Sequence, residues 1–325
     1  MLCIAYVIAV GMLLGAVAVL VERILPPGWP RRWIWCLVMP VAVGLPGYYR
    51  WHHNWSVLSA LERHGDPTSA LVPAAASFAL IDPAWWAQTS NYDSTINALW
   101  LITSATLIVW GLANSWRVWR LVRVARRRSS VRAPLLLDGV PIVLTETVGP
   151  ATAGLLRSRV LVPRWVLGLP ETERHYVVRH EEEHRRAHDA QLLFIASLPL
   201  VLMPWNLAYW WLLRRLCAAV EMDCDNRVVG AAGDAHAYGE LLLRVAAAGT
   251  RGPRLQPALL GVGTLERRLA ALVAPTPLRH FQRFLVPALA LGLLAIALSM
   301  PHPVLRSGPH AHSTPVATTN STRLP

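Results

Sequence analysis

Long apolar runs separated by short arginine-rich segments dominate the pattern of this chain. Residues 1–21 carry no charge before Glu22-Arg23, and about 20 apolar residues in a helix are enough to cross the hydrocarbon core of a bilayer. A second, shorter run from Trp33 to Tyr49 is interrupted by Pro40, Gly44 and Pro46. A third extends from Ser94 to Trp116 and a fourth from Phe284 to Leu305. The pattern predicts a mainly α-helical membrane protein with about four transmembrane helices. Ala16-Val17-Ala18 resembles the cleavage site of a secretory leader, but no basic segment precedes the apolar run, so a retained first span is expected.

Composition supports the membrane reading. Of 325 residues, 54% are hydrophobic and only 15% charged, against roughly 25% charged in ordinary soluble domains. A net charge of +12 would suit nucleic acid, but the arginines crowd beside the apolar runs, as the cytoplasmic ends of membrane helices do. Arg23, Arg31 and Arg32 therefore place the first connection inside. The loop at 50–93, with Glu62, Asp66, Asp82 and Asp93, faces outward. Arg117, Arg120, Arg123, Arg126, Arg127, Arg128 and Arg132 then give the strongest inside signal. They are expected to meet anionic lipid, with no direct contact to nucleic acid. Cys3, Cys36, Cys217 and Cys224 are too scattered for a disulfide framework and read as small buried hydrophobes.

The domain layout that follows is an N-terminal membrane region over 1–116 with spans at 1–21, 33–49 and 94–116. A cytoplasmic domain covers 117–283, a last transmembrane helix 284–305, and a disordered outer tail 306–325. The N-terminus lies outside. Oligomeric state leaves no mark in the sequence.

The chemistry lies in the cytoplasmic part. Arg179 to Asp189 read R-H-E-E-E-H-R-R-A-H-D within a stretch free of Gly and Pro. His180 and His184 are four apart, so a helix sets their imidazoles one turn apart on one face, where they can share Zn²⁺. Glu181 is then placed as general base toward a metal-activated water. Three protein ligands and one open position define a catalytic zinc site. Glu221, in Glu221-Met-Asp-Cys-Asp225, can supply the third. Asp225, one turn on, can accept the remaining N–H of a ligand histidine. The plainer reading is an acidic helix surface facing Arg214, Arg215 or Arg227.

Ala190 to Leu213 contains no charged residue and is long enough to cross a membrane. A single crossing would leave Glu221 roughly 30 Å from His184, while zinc ligands must converge to about 2 Å from one ion. Pro199, Pro204 and Asn206 interrupt the run, and Trp205, Tyr209, Trp210 and Trp211 suit an interface. A re-entrant helical hairpin over 190–213 is expected, with both halves of the motif on the cytoplasmic side.

These residues resemble the BlaR/MecR-type antirepressor metallopeptidases, membrane proteins of bacterial antibiotic-response systems. The likeness runs through the three early spans, Pro150-x-x-x-Gly154, Val160-Leu-Val-Pro163, His180-Glu-x-x-His184 with Asp189, Trp205-Asn206, Glu221-x-x-Cys-Asp225, Tyr238-Gly239 and Leu265-Glu-Arg-Arg268. It implies a zincin-like α+β protease domain embedded at the inner membrane, zinc on His180, His184 and Glu221, catalysis by Glu181, and Asp225 behind the ligands. It also implies cleavage of a cytoplasmic transcriptional repressor, or of the receptor itself. One departure stands out: only about twenty polar residues follow His302, where the family's receptors carry a penicillin-binding sensor. Direct β-lactam sensing is therefore not expected, and the signal enters elsewhere, through the 50–93 loop or a partner protein.

Other residues carry weaker expectations. Pro141 to Leu144 and Arg159 to Pro163 read as short strands between turns at Asp138-Gly139 and Gly149-Pro150, and an edge strand beside a metal can pair with an extended substrate. His188, His236 and Tyr238 are candidate hydrogen-bond donors to an oxyanion. Asp189 reads as structural, acting through Arg185 or Arg186 or capping the apolar run behind it. Two other functions fit less of the pattern. One is a membrane metalloprotease of the prenyl-protein or quality-control type; the other is a non-catalytic membrane signalling scaffold.

Overall fold

The computed structural model describes residues 2–25, 28–45, 47–48, 93–128, 135–146, 149–155, 158–249, 264–273 and 282–299. The expected outer loop up to Tyr92, the whole of the expected tail at 306–325 and Arg132 lie outside the described residues.

Apolar runs form helices here because a helix satisfies every backbone group within its own segment. Three precede the sheet: α1 (Leu2–Ile24), α2 (Arg32–Leu45) and α3 (Asp93–Arg128). A four-stranded sheet follows, built from β1 (Leu135–Leu137), β2 (Val140–Thr145), β3 (Ala151–Ala153) and β4 (Arg159–Pro163). After a 3₁₀ turn at Arg164–Gly168 come α4 (Glu171–Arg186), α5 (Asp189–Leu202), α6 (Leu207–Ala232), α7 (Ala235–Gly249), α8 (Thr264–Val273) and α9 (Gln282–Ser299).

Among the described residues, two helices, α1 and α3, contain segments long and apolar enough to cross a membrane, Ile4–Ile24 and Thr95–Val124. The other two expected spans appear as shorter apolar helices, Arg32–Leu45 and Phe284–Ser299. The boundary expected at 116 is not a break in the backbone. The helix runs on through the arginines to Arg128, because Arg is a good helix former and no Gly or Pro intervenes.

One core cluster joins α1, α2 and the start of α6. Tyr6, Val10, Leu14 and Ala18 make a stripe at four-residue spacing on α1, packed with Trp35, Met39, Leu212 and Leu216. Gly11 and Gly15 let α6 come close: a Cβ at Gly11 would lie 2.9 Å from the Cβ of Ala208, and one at Gly15 would lie 2.1 Å from Cζ3 of Trp211. Arg215 pairs with the buried Glu22 farther along. The first half of α6 thus runs beside α1 in the same direction.

The charge-free run turns back on itself. Helix α5 ends at Leu202 and α6 starts at Leu207, with the Asn206 side chain accepting from the Tyr209 amide at 3.1 Å. Tyr209 Oη donates to the carbonyl of Ala196 at 2.9 Å and ties the two helices together. The tip carbonyls of Leu202 and Pro204 accept from the indoles of Trp100 and Trp210, at 2.8 and 2.9 Å. Carbonyls that a broken helix leaves without partners are satisfied in this way. Ala208 lies against Gly11, near the middle of α1, so the hairpin reaches at least half way along that helix.

The second core belongs to the sheet. Strand order is β1-β2-β4-β3, with β2 and β4 parallel and the outer pairs antiparallel. Asp138 and Gly139, at φ of 52° and 77°, form the tight β1–β2 turn that the Asp-Gly pair predicts. Val160, Val162, Val166, Tyr176, Val178, Cys224, Val228, Tyr238 and Leu241 pack between the sheet and helices α4, α6 and α7. This core holds α4 against β3 and β4 and so sets the place of the site.

Candidate metal centre

Helix α4 brings His180, Glu181 and His184 to one place. Their spacing puts Nε2 of His180 and Nε2 of His184 at 3.1 Å. The hairpin returns α6 across α4, and Glu221 closes the third side, with carboxylate oxygens 3.7 Å from each of those nitrogens. At about 2.05 Å from a tetrahedral ion, ligand atoms sit roughly 3.3 Å apart. Distances of 3.1, 3.7 and 3.7 Å bracket that value, so the residues fit a zinc ion.

The outer nitrogens settle the tautomers. Nδ1 of His184 lies 2.8 Å from Oδ2 of the buried Asp189. A carboxylate only accepts, so this nitrogen carries a proton, and Nε2 is the nitrogen left for a metal once its own proton is displaced. Nδ1 of His180 lies 2.9 Å from the Tyr238 hydroxyl, which donates to Oδ1 of Asp225 at 2.7 Å. Asp225 itself stands 3.5 Å from that ring, beyond a good hydrogen bond. The support expected directly from Asp225 is therefore relayed through Tyr238.

Arg268 on α8 completes this layer. It makes two hydrogen bonds of 2.7 Å to Asp225 and lies 3.0 Å from Glu221. Burial alone would push the Glu221 carboxyl up, but Arg268 and His184 outweigh it and hold the group well below the usual carboxylate range. Burial opposes charge on His180, yet the Cys224 thiol and Glu221 raise that ring to about 10. His184 is raised as well, by Glu221 and Asp189 against the same burial. Such a concentration of opposed charge in a buried pocket suits a divalent cation.

Glu181 is buried, and its Oε2 is 3.1 Å from Thr152 Oγ1, which also donates to the Glu181 carbonyl at 2.6 Å. Thr152 lies on β3, an outermost strand of the sheet. The general-base candidate and the sheet edge are thus in contact.

Cys224 adds a fourth metal-capable group. Its Sγ lies 3.4 Å from Nδ1 of His180, and the potential ligand atoms of His180, His184 and Cys224 all lie within 4.8 Å of one another. Burial raises its thiol, but His180 more than offsets this and lowers it overall. The thiol lies against the ring nitrogen of His180 that also meets Tyr238, whereas Glu221 faces the Nε2 side of both rings. Geometry therefore favours Glu221 as the third ligand.

Several sequence expectations change. Asp189 does not act through Arg185 or Arg186, which pair with Glu182 at 2.6 and 2.9 Å on their own helix; it holds His184 and Arg32 instead. It does not cap α5 either: His188, at φ 57°, occupies that position without a side-chain bond. His236 pairs with Glu240 on an exposed turn, and His188 is exposed. Tyr238, a candidate oxyanion donor by sequence, is buried and meets the His180 ring at 2.9 Å. Sequence reasoning used Arg32 only as a marker of topology and missed Thr152 altogether. It singled out Arg268 only within a family motif.

No curated protein and no solved structure matches this chain significantly. The sequence profile described as BlaR1 peptidase M56 matches residues 3–272, from the first helix through α8. With most of its length aligned to that profile, the chain belongs to the BlaR1 peptidase M56 family of metallopeptidases.

Proposed function

We propose that the chain is an integral-membrane zinc endopeptidase of bacterial signal transduction, cutting a cytoplasmic transcriptional repressor, itself, or both. The observation that carries this reading is the geometry of the two rings: Nδ1 of each histidine has a close oxygen partner, and Nε2 of each faces Glu221. His180, His184 and Glu221 would hold a zinc ion, which would supply Lewis acidity toward a water and a peptide carbonyl. Glu181 takes a proton at its carboxylate from the attacking water and delivers it to the leaving amine. Thr152, whose hydroxyl donates to the Glu181 carbonyl, fixes the backbone that carries this carboxylate and lies 3.1 Å from Oε2. Edge strand β3 offers backbone groups to an extended peptide, setting its carbonyl beside Glu181.

The same reading gives a topology. Arg215 meets Glu22 near the end of α1, and Glu221 follows six residues on, roughly 9 Å farther along a helix. Arg23, Arg31 and Arg32 mark that end as cytoplasmic. The α5–α6 hairpin enters the bilayer from there and returns, leaving the peptidase part inside and the N-terminus outside. Anionic lipid meets the basic end of α3.

The test compares wild type with Glu181→Gln in the membrane of the native host. Glu181→Gln is expected to retain zinc and to leave one cytoplasmic protein, or the chain itself, uncut. Equal processing of every protein in the two strains would refute the assignment.

A further inference from the structure

The turn between α1 and α2 touches both halves of the site. Arg32 donates from a guanidinium nitrogen to Oδ1 of Asp189 at 2.8 Å, and the other oxygen of Asp189 holds Nδ1 of His184 at 2.8 Å. The backbone amides of Arg31 and Arg32 donate to the two oxygens of Asp223, at 2.9 and 3.0 Å. Asp223 is buried and lies two residues from Glu221 on α6. One short turn therefore grips the α4–α5 junction through a side chain and α6 through its backbone.

We propose that Arg32 is a positioning residue for the metal centre, orienting His184 through Asp189 and so coupling the first two apolar helices to the zinc ligands. The physical basis is the arrangement of the shared carboxylate. Asp189 is 3% exposed, and a buried carboxylate needs partners on both oxygens to stay ionised and fixed. Its second arginine, Arg227, stands 3.9 Å away on the His184 side, so Arg32 is the close cation on Oδ1. Without Arg32, Asp189 is free to rotate, and the His184 ring loses its fixed angle. A shift of α1 against α2 moves the turn and pulls on the same carboxylate, so a signal in the membrane helices reaches a ligand without crossing the sheet.

This inference rests on the metallopeptidase reading, but its readout does not. Zinc dissociation constants are measured by chelator competition on the full chain in detergent, with monodispersity confirmed. Arg32→Met, which keeps the apolar stem, is expected to weaken zinc binding at least tenfold, within the 10–100-fold range for partners behind a ligand. The double variant Arg32→Met/Asp189→Asn should bind no more weakly than Asp189→Asn alone, since both changes cut one path. Arg31→Ala, which keeps the backbone amide, should stay within twofold of wild type. If Arg32→Met does not fold, Arg32→Gln takes its place, and a loss of at least threefold is expected. Unchanged zinc affinity, additive losses in the double variant, or an equal loss in Arg31→Ala would each overturn the proposal. If Arg32→Met loses zinc as expected while the zinc-loaded wild type cleaves nothing, the positioning role stands and the peptidase is refuted. If wild type cleaves but zinc affinity is indifferent to Arg32, the reverse holds.

Discussion

At the scale of single residues, the centre is organised by what each carboxylate can do. Glu221 and Cys224 compete for the role of third ligand, and substitution separates them. Glu221→Ala should weaken zinc binding well beyond the roughly 100-fold upper range for an outer partner, whereas Cys224→Ser should stay within about tenfold. Chelator competition on the two purified variants checks this, and the reverse order would make the thiol the ligand. Tyr238→Phe keeps the ring packing against Tyr176 but leaves Nδ1–H of His180 without its acceptor. A loss of about tenfold in zinc affinity is expected. Arg268 carries more: Arg268→Met strands Asp225 and Glu221, two carboxylates in a buried pocket. Removing one partner from such a network costs about 3–5 kcal/mol, readable as a lowered midpoint in thermal unfolding of the metal-free protein.

At the scale of elements, close approach of α1 and α6 decides whether the hairpin can sit where it does. Gly15 faces the ring of Trp211, and an added methyl would overlap it. Gly15→Ala should therefore destabilise the protein by about 1–3 kcal/mol, the usual range for overpacking. Gly44→Ala in α2 meets nothing within 4 Å and should be neutral or slightly stabilising, because Ala is the better helix former. Thermal midpoints of both variants in one detergent make the comparison, and equal midpoints would show that the α1–α6 contact is loose. Because α6 also carries Glu221, the Gly15 variant should bind zinc more weakly as well.

At the scale of the whole molecule, two properties follow from the arrangement of charge. A protonated imidazole binds no metal, so zinc must displace the protons that the metal-free site holds on His180 and His184. His180 holds its proton up to about 10, so zinc affinity should climb as pH rises from neutrality toward that value, with at least one proton released per ion. Calorimetry in buffers of different ionisation enthalpy counts those protons, and zero release would contradict the charge assignment. Topology is the second property. Arg186 and Gly230 are exposed on either side of the hairpin in sequence. Arg186→Cys and Gly230→Cys should react with an impermeant thiol reagent from the same face of the membrane. Labelling from opposite faces would mean that the hairpin spans.

The sequence alone determined what local geometry dictates. Four-residue spacing on a helix places His180 beside His184, and two histidines in search of a third ligand demand that Glu221 return to them. That demand, with Pro199, Pro204 and Asn206 as the break, makes the hairpin legible in the sequence. The Asp138-Gly139 turn and the strands at 141–144 and 159–163 were legible for the same reason, since their signals are short-range. Tertiary structure decided the rest. Arg32 meets Asp189 across 157 positions and Tyr238 meets His180 across 58, and no periodicity records such pairs. Asp225 was read as a direct partner of a histidine because one helical turn separates it from Glu221. The fold instead set a tyrosine between them and an arginine behind. Spacing along a chain fixes which side chains share a face, but the packing of several elements selects which of them touch.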